Sequence, residues 1–183
     1  NPNLDIFGSQ IIEFIDSRNK FVRCNLKKMP HSNLAIKNAL DFRNSINHPT
    51  VVFKKKTILE IGGYENIAFF EDYHLWLKAR KNNCTFLNSS IPLVLMKRES
   101  PTKRRQGFVY AKKELNFYLI SIEQGLVKII TIFIFPLRVF SRILPSRISF
   151  LYYLIPWRNY YSKCLNPKYL KEFSLKSLKI INK

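Results

Sequence analysis

The stretch between residues 44 and 80 constrains the fold more than any other part of the chain. It leads from a short β-branched segment, Pro49 to Phe53, through the pair Gly62 and Gly63 to an amphipathic segment that opens with Glu71 and Asp72. β-Branched residues favour strands, glycine favours the end of a helix, and carboxylates favour the first helical turn, where backbone N–H groups lack partners. The stretch therefore predicts a buried strand, a tight turn and a helix of about three turns.

The flanking segments predict further strands and helices. Two short strands are expected at Leu4–Gly8 and Gln10–Ile15, with a turn or bulge at Gly8. A helix is expected over Ser32–Phe42, because apolar residues recur there with the spacing of one helix face behind a capping serine or asparagine. A helical turn at Thr57–Ile61, a helix from about Glu71 to Lys81, and closing strands at Cys84–Leu87 and Leu93–Met96 complete the prediction. Strands that alternate with helices on this scale predict an α/β layer.

Charge and composition divide the chain near residue 100. The net charge of +19 is uneven, with +6 in residues 1–100 and +13 in residues 101–183. We therefore expect a compact α/β unit over residues 1–100 and a basic, aromatic-rich helical tail over residues 101–183. The three cysteines, Cys24, Cys84 and Cys164, stand singly and form no metal-binding pattern, which fits a reduced, cytoplasmic setting.

The tail predicts short amphipathic helices. From Gly107 to Lys163, aromatic and aliphatic residues interleave with Lys and Arg, and Pro136, Pro145 and Pro156 divide the run into pieces. Helices that are basic on one face and aromatic on the other lie on a membrane surface, whereas a spanning helix needs roughly 20 apolar residues. An anionic membrane surface is thus the expected partner, with packing against the first hundred residues as the alternative. Nucleic acid is not expected, since no recognition motif is present.

The acidic pair is the first candidate for chemistry. Carboxylates at a helix N-terminus often do no more than stabilise that helix. Glu71 and Asp72, however, are adjacent and follow the apolar residues Ala68, Phe69 and Phe70, a setting in which one carboxylate could act as a general base. Both interpretations stay open on the residues alone.

Other candidates surround the pair in the sequence. His48, ahead of Pro49, could donate a hydrogen bond to a phosphate or hydroxyl, or satisfy a backbone carbonyl. The glycine pair could let a ligand approach the backbone, or could simply end a helix. Tyr64 and Trp76 could stack on a sugar ring or fill the core.

Three motifs in this order carry a family resemblance. They are N-x-x-x-H-P-T-V-x-F-K-K, starting at Asn44, then G-G-Y, and then E-D-Y-x-L-W-L-K. Together they resemble the second half of the catalytic domain of family 2 glycosyltransferases, GT-A-fold enzymes of bacterial capsule, exopolysaccharide and lipopolysaccharide synthesis. The segment from Asn1 to Asp16 resembles the stretch that follows the nucleotide-binding half of these enzymes, so the resemblance covers roughly residues 1–100.

The resemblance implies a role for each candidate residue. Asp72 matches the general base that deprotonates the acceptor hydroxyl, and Glu71 matches a neighbour that orients the acceptor or the base. Acceptor-binding positions are His48, Gly62, Gly63, Tyr64 and Trp76, together with His74, which stands where the family more often has an acid. The implied reaction transfers a sugar from a nucleotide-sugar donor to a lipid-linked or polysaccharide acceptor, with inversion at the anomeric carbon.

The same resemblance implies features that this sequence does not supply. Such enzymes hold a divalent metal, Mg or Mn, on the donor diphosphate through a D-x-D motif, and no D-x-D occurs in the sequence. Cofactor-binding residues are therefore not assigned, and we expect the chain to be the acceptor half of a partial GT-A (Rossmann-like) domain, peripheral at the inner face of the cell membrane. The alternatives are a non-catalytic, truncated remnant and a basic module that binds membrane or nucleic acid.

Overall fold

The structure is a computed structural model that describes residues 2–17, 20–97, 106–144 and 161–164. Strands and helices are interspersed up to residue 97, and two helices follow residue 106, so the predicted α/β class is confirmed. The strands are β1 (Ile6–Ser17), β2 (Lys20–Lys27), β3 (Val52–Phe53), β4 (Phe86–Lys97) and β5 (Tyr161–Cys164). The helices are α1 (Asn33–Ala39), α2 (Lys55–Glu60), α3 (Glu71–Lys81), α4 (Phe108–Glu123) and α5 (Ile129–Ile143).

Strand β1 is the centre of a mixed sheet. It pairs in parallel with β4 along one edge and antiparallel with β3 and then β2 along the other, while β5 pairs with β2. The prediction of two separate strands before residue 16 is wrong, because β1 runs without interruption through a register shift between Gly8 and Gln10. A Cβ atom on Gly8 would collide with the side-chain oxygen of Asn88, which explains why glycine occupies this point.

The prediction of a buried strand over Pro49–Phe53 is also wrong. The chain forms a 3-10 turn at His48–Thr50, and only the two residues of β3 pair with β1, with Val52 68% exposed. The reason lies in side chains that replace strand pairing: Thr50 Oγ1 accepts from the backbone N–H of Ser9 at 2.8 Å, and Asn47 Nδ2 donates to the Ser9 carbonyl at 2.8 Å. These two side chains satisfy the backbone N–H and carbonyl of Ser9, where the register of β1 shifts. No strand therefore needs to pair with β1 at Ser9.

The two predicted closing strands form one strand, β4. It passes through Pro92, which is paired with Gln10 between two register shifts, so a local irregularity accommodates the proline within the strand. Prediction of the helices was closer. Helix α3 has the predicted bounds, and α2 begins two residues earlier and ends one residue earlier than expected. Helix α1 begins after Ser32, whose Oγ accepts from Ala35 N at 3.4 Å, but it ends at Ala39, three residues before the predicted Phe42.

Helices α4 and α5 share the hydrophobic core of the preceding elements. Phe117 of α4 stacks on Phe70 with ring centroids 4.9 Å apart and contacts Tyr73 at 5.0 Å. Helix α5 is tied to the loop that follows α1: Thr131 Oγ1 donates to the Asp41 carbonyl at 3.1 Å, and Arg138 Nη1 donates to the Phe42 carbonyl at 2.6 Å. The two helices are thus integral to the packing around α3.

The charges of α5 point inward. Arg138 and Arg142 donate to the carboxylate of Glu114 on α4, each at 2.7 Å, and Glu114 is fully buried. The expected basic outer face is therefore wrong for this helix, whose exposed side is apolar. Pro136 does not divide the run as predicted, because α5 continues through it. Over the residues described, no helix has both the length and the apolar character that a membrane crossing requires.

Candidate active site

Asp72 lies in the first turn of α3, and both of its carboxylate oxygens accept hydrogen bonds. Oδ1 accepts from the backbone N–H of Tyr73 at 2.7 Å, and Oδ2 accepts from Asn44 Nδ2 at 2.8 Å. The side chain is half-buried, whereas that of Glu71 is exposed. Of the two predicted acids, Asp72 is the one whose carboxylate is fixed in orientation.

Asn44 holds Asp72 from a loop distant in the sequence. Its Oδ1 accepts from the backbone N–H of Ile46 at 3.2 Å, so the amide is oriented with Nδ2 towards Asp72. The loop is further attached to α3, because the Tyr73 hydroxyl donates to the Leu40 carbonyl at 2.7 Å. Sequence reasoning gave Asn44 no role, although it is the first residue of the N-x-x-x-H motif and that position could have drawn attention to it.

Three of the predicted aromatic residues lie together beside this carboxylate. The His48 ring is 5.9 Å from the Tyr64 ring in an edge-on arrangement and 6.2 Å from the Trp76 ring. Burial and, secondarily, the negative charge of Asp72 raise the pKa of Tyr64. Trp76 lies one helical turn after Asp72 on the same face of α3.

The layers of this aromatic cluster differ in exposure. Tyr64 is 46% exposed and His48 is also exposed, whereas Trp76 is completely buried. Within the described part of the chain, Trp76 Nε1 has no hydrogen-bond partner. The rings of Tyr64 and His48 and the carboxylate of Asp72 thus form an open surface above the buried indole of Trp76. Such a surface suits a ligand that has both hydroxyl groups and apolar ring faces.

Gly62 and Gly63 have a structural function that fixes Tyr64. Their φ angles are +83° and +58°, and their N–H groups donate to carbonyls at the end of α2, at 3.0 and 2.8 Å. Lys78 Nζ donates to the Gly63 carbonyl at 3.1 Å. The positive φ angles thus follow from ending α2, and the turn delivers Tyr64 to the side of Asp72.

His74 is not brought to this cluster. It is fully buried on another face of α3, and its Nε2 is 3.9 Å from Glu65 Oε2. Burial lowers the pKa of His74, and the negative charge of Glu65 opposes that change. The side chain therefore faces Glu65 in the interior and is not exposed to solvent. Elsewhere in the described ranges, no group of three or more His, Cys, Asp or Glu side chains is arranged to hold a metal ion.

The chain is similar in sequence to several bacterial glycosyltransferases. No protein-family model matches the chain. The chain is 37% identical over 154 residues to an Escherichia coli protein named UDP-Gal:alpha-D-GlcNAc-diphosphoundecaprenol beta-1,3-galactosyltransferase, covering 80% of this chain and 53% of that protein. It is 30% identical over 159 residues to the amylovoran biosynthesis glycosyltransferase AmsE of Erwinia amylovora, covering 83% and 57%.

A further relative comes from Haemophilus influenzae, an uncharacterized glycosyltransferase that is 32% identical over 148 residues, covering 80% of this chain and 54% of that protein. The chain thus spans about half the length of these curated relatives. The aligned share of this chain is large enough to include the loop of Asn44 and helix α3. Over about four fifths of its length, this chain is therefore related to bacterial glycosyltransferases.

Proposed function

We propose that the protein is an inverting glycosyltransferase of family 2 that acts in surface polysaccharide synthesis, with Asp72 as its general base. The observation that carries this proposal is the carboxylate of Asp72, fixed by Tyr73 N–H and Asn44 and bordered by Tyr64 and His48. A general base must be held within hydrogen-bonding reach of the proton that it removes. The relatives' names support the reaction class, and the E. coli relative's name supports a lipid-linked acceptor.

In the proposed reaction, a hydroxyl group of the acceptor lies against the free face of the Asp72 carboxylate. Asp72 accepts the hydroxyl proton while the oxygen bonds to the anomeric carbon of the donor sugar. The bond from that carbon to the nucleoside diphosphate breaks, and the configuration inverts. Tyr64, His48 and the turn at Gly62 and Gly63 border the acceptor, Trp76 supports them from below, and the exposed Glu71 orients the acceptor.

The donor side of the site is a separate part of the proposal. A nucleotide sugar is the proposed donor, and a divalent metal, Mg or Mn, would stabilise its leaving diphosphate. Among the described residues, no cluster of carboxylate or imidazole groups would hold that metal, so none of them is assigned to it. The test is to measure sugar transfer by the intact protein from a nucleotide sugar to a lipid-linked acceptor. NMR of the product then gives its anomeric configuration. Absence of transfer, or a retained configuration, would contradict the proposal.

Asn44→Asp in the intact protein is expected to lower kcat by about 10- to 100-fold with little change in KM for the acceptor. The substitution keeps the oxygen that accepts from Ile46 N but replaces the donor to Asp72 with a second carboxylate. Two facing carboxylates resist joint ionisation, so the acidic limb of the pH profile of kcat should move to higher pH. Steady-state kinetics between pH 5 and 9 measures both effects.

Ser45→Ala is the matched control for Asn44. Ser45 is buried in the same loop, and its hydroxyl donates to the Ile36 carbonyl at 3.1 Å without contact to Asp72. It should lower stability by about 1 kcal/mol and leave the pH profile in place. If both variants shift the profile equally, or neither does, Asn44 only shapes the loop.

The proposed location is the inner face of the cell membrane, and the exposed side of α5 supports it. Ile129, Phe133, Leu137 and Phe140 recur with helical spacing and are 76%, 72%, 64% and 59% exposed. Because the arginines of α5 are paired with Glu114, the contribution of this helix to membrane binding would be apolar. The proposed contact therefore differs from the basic surface expected from the sequence.

Phe133→Ser is expected to reduce flotation of the protein with phosphatidylglycerol-containing vesicles by several-fold, because it removes a large apolar side chain from the contact. Leu34→Ser is the control, since Leu34 is equally exposed, at 70%, but belongs to α1 and not to α5. The proposed contact would be excluded by equal flotation of Phe133→Ser and wild type. A salt-sensitive mobility shift with oligonucleotide, without flotation, would favour nucleic acid instead.

A further inference from the structure

A groove lies where the N-terminal part of α4 meets the segment that precedes the acidic pair. It has a volume of about 590 Å³ and is lined by Ala68, Phe108, Val109, Lys112, Lys113 and Asn116. Phe108 and Val109 are 72% and 69% exposed and adjacent at the start of α4. The groove therefore combines an exposed apolar floor with two ammonium groups and one amide.

Phe69 connects this groove to Asp72. Its φ angle of +72° is a conformation that non-glycine residues seldom adopt, and it lies three residues before the proposed base. Its ring is 48% exposed, 5.8 Å from the Tyr110 ring, and Lys113 Nζ lies over it at 4.3 Å. The strained residue thus lies in the sequence between Ala68 of the groove and Asp72, and a lysine of the groove is in contact with its ring.

The start of α4, which lines the groove, is attached to the end of α5. The N–H of Gly107, just before α4, donates to the carbonyl of Arg142 near the end of α5 at 2.9 Å. The start of α4 and the end of α5 therefore lie together, and Phe108 on α4 and Phe140 and Ile143 on α5 are exposed, at 72%, 59% and 48%. An apolar chain could pass from the groove to the surface proposed to contact the membrane.

We propose that this groove binds the prenyl diphosphate portion of a lipid-linked acceptor. This inference rests on the proposed function and adds the place where the acceptor's carrier is held. Lys112 and Lys113 would contact the diphosphate, Asn116 would donate a further hydrogen bond, and the first prenyl units would lie on Phe108 and Val109. The sugar attached to the diphosphate would then extend past Phe69 towards Asp72.

The experiment measures binding of farnesyl diphosphate to the intact protein and, separately, sugar transfer to a polyprenyl diphosphate-linked acceptor. Replacing both lysines, Lys112→Ala with Lys113→Ala, should raise Kd for farnesyl diphosphate and KM for the acceptor by roughly 10- to 100-fold, with kcat little changed. Val109→Ser should weaken binding of farnesyl diphosphate but not of inorganic diphosphate. Lys55→Ala with Lys56→Ala, an adjacent exposed pair on α2, is the charge-matched control.

Each outcome decides between the two proposals. Asp72→Asn should bind farnesyl diphosphate normally while losing transfer, so binding without transfer in the wild type would refute the catalytic role and leave the groove standing. Normal transfer with unchanged Kd and KM in the double lysine variant would refute the groove alone. Two further results would refute binding of prenyl diphosphate in the groove. One is competition by inorganic diphosphate, or by phosphatidylglycerol vesicles without prenyl diphosphate, as strong as that by farnesyl diphosphate. The other is an equal loss of binding in the control variant of Lys55 and Lys56.

Discussion

Asp72→Asn in the intact protein is expected to lower kcat by about 10²- to 10⁴-fold, the usual effect of removing a general base. Asparagine keeps the shape of the side chain, and its oxygen can still accept from Tyr73 N–H, so the first turn of α3 should be preserved. KM for the acceptor should change little, because the loss falls on proton transfer. Initial rates of sugar transfer at saturating donor measure the effect.

Two controls accompany this measurement. Thermal unfolding of Asp72→Asn should stay within a few degrees of wild type, which separates catalysis from folding. The magnitude should also exceed that of Asn44→Asp, since Asn44 acts only through Asp72. A kcat close to that of the wild type would remove Asp72 as the base and leave it as a helix-stabilising residue.

Glu114→Ala is expected to destabilise the fold by about 3–5 kcal/mol, the largest effect on stability that we predict. The carboxylate is fully buried between α4 and α5, and its removal leaves the largely buried Arg138 and Arg142 without their shared partner. Urea unfolding followed by circular dichroism measures the change. Glu123→Ala, an exposed position on the same helix, should stay within about 0.5 kcal/mol of wild type.

The contribution of Glu114 should also depend on pH. Burial would by itself raise its pKa, but Arg138 and Arg142 outweigh burial and hold the pKa below the ordinary glutamate value. The unfolded chain therefore takes up this proton before the folded protein does, so the stabilisation is complete above the ordinary glutamate pKa and is lost as pH falls through the lower folded value. A difference between wild type and Glu114→Ala that stayed constant down that range would contradict the ion-pair interpretation.

Local signals predicted the helices well and the strands less well. Helix α3 begins and ends where acidic residues open it and a loop follows, since these signals act within a few residues of the helix ends. The prediction of a strand at Pro49 to Phe53 was wrong because the side chains of Thr50 and Asn47 bond the backbone N–H and carbonyl of Ser9. Ser9 lies about 40 residues earlier in the sequence. Such long-range side-chain bonds leave no periodic pattern in the sequence.

At the candidate site, too, the motifs indicated individual residues but not the contacts between residues that are far apart in the sequence. The motifs indicated Asp72, Tyr64, His48 and Trp76, which the structure brings together. They did not reveal that Asn44 fixes the carboxylate or that His74 is buried against Glu65. Both facts depend on which face of α3 meets which loop, and that is decided by packing of the whole domain.

The attachment of α5 to the loop of Asn44 limits how proteins of this kind can be recombined. Two backbone carbonyls of that loop, those of Asp41 and Phe42, receive their donors from Thr131 and Arg138. A chimera that takes residues 1–97 from this chain and its later helices from a relative would keep the loop in place only if the new helix supplied both donors. The loop of Asn44 and helix α5 can therefore be exchanged between relatives as one block more readily than as separate pieces.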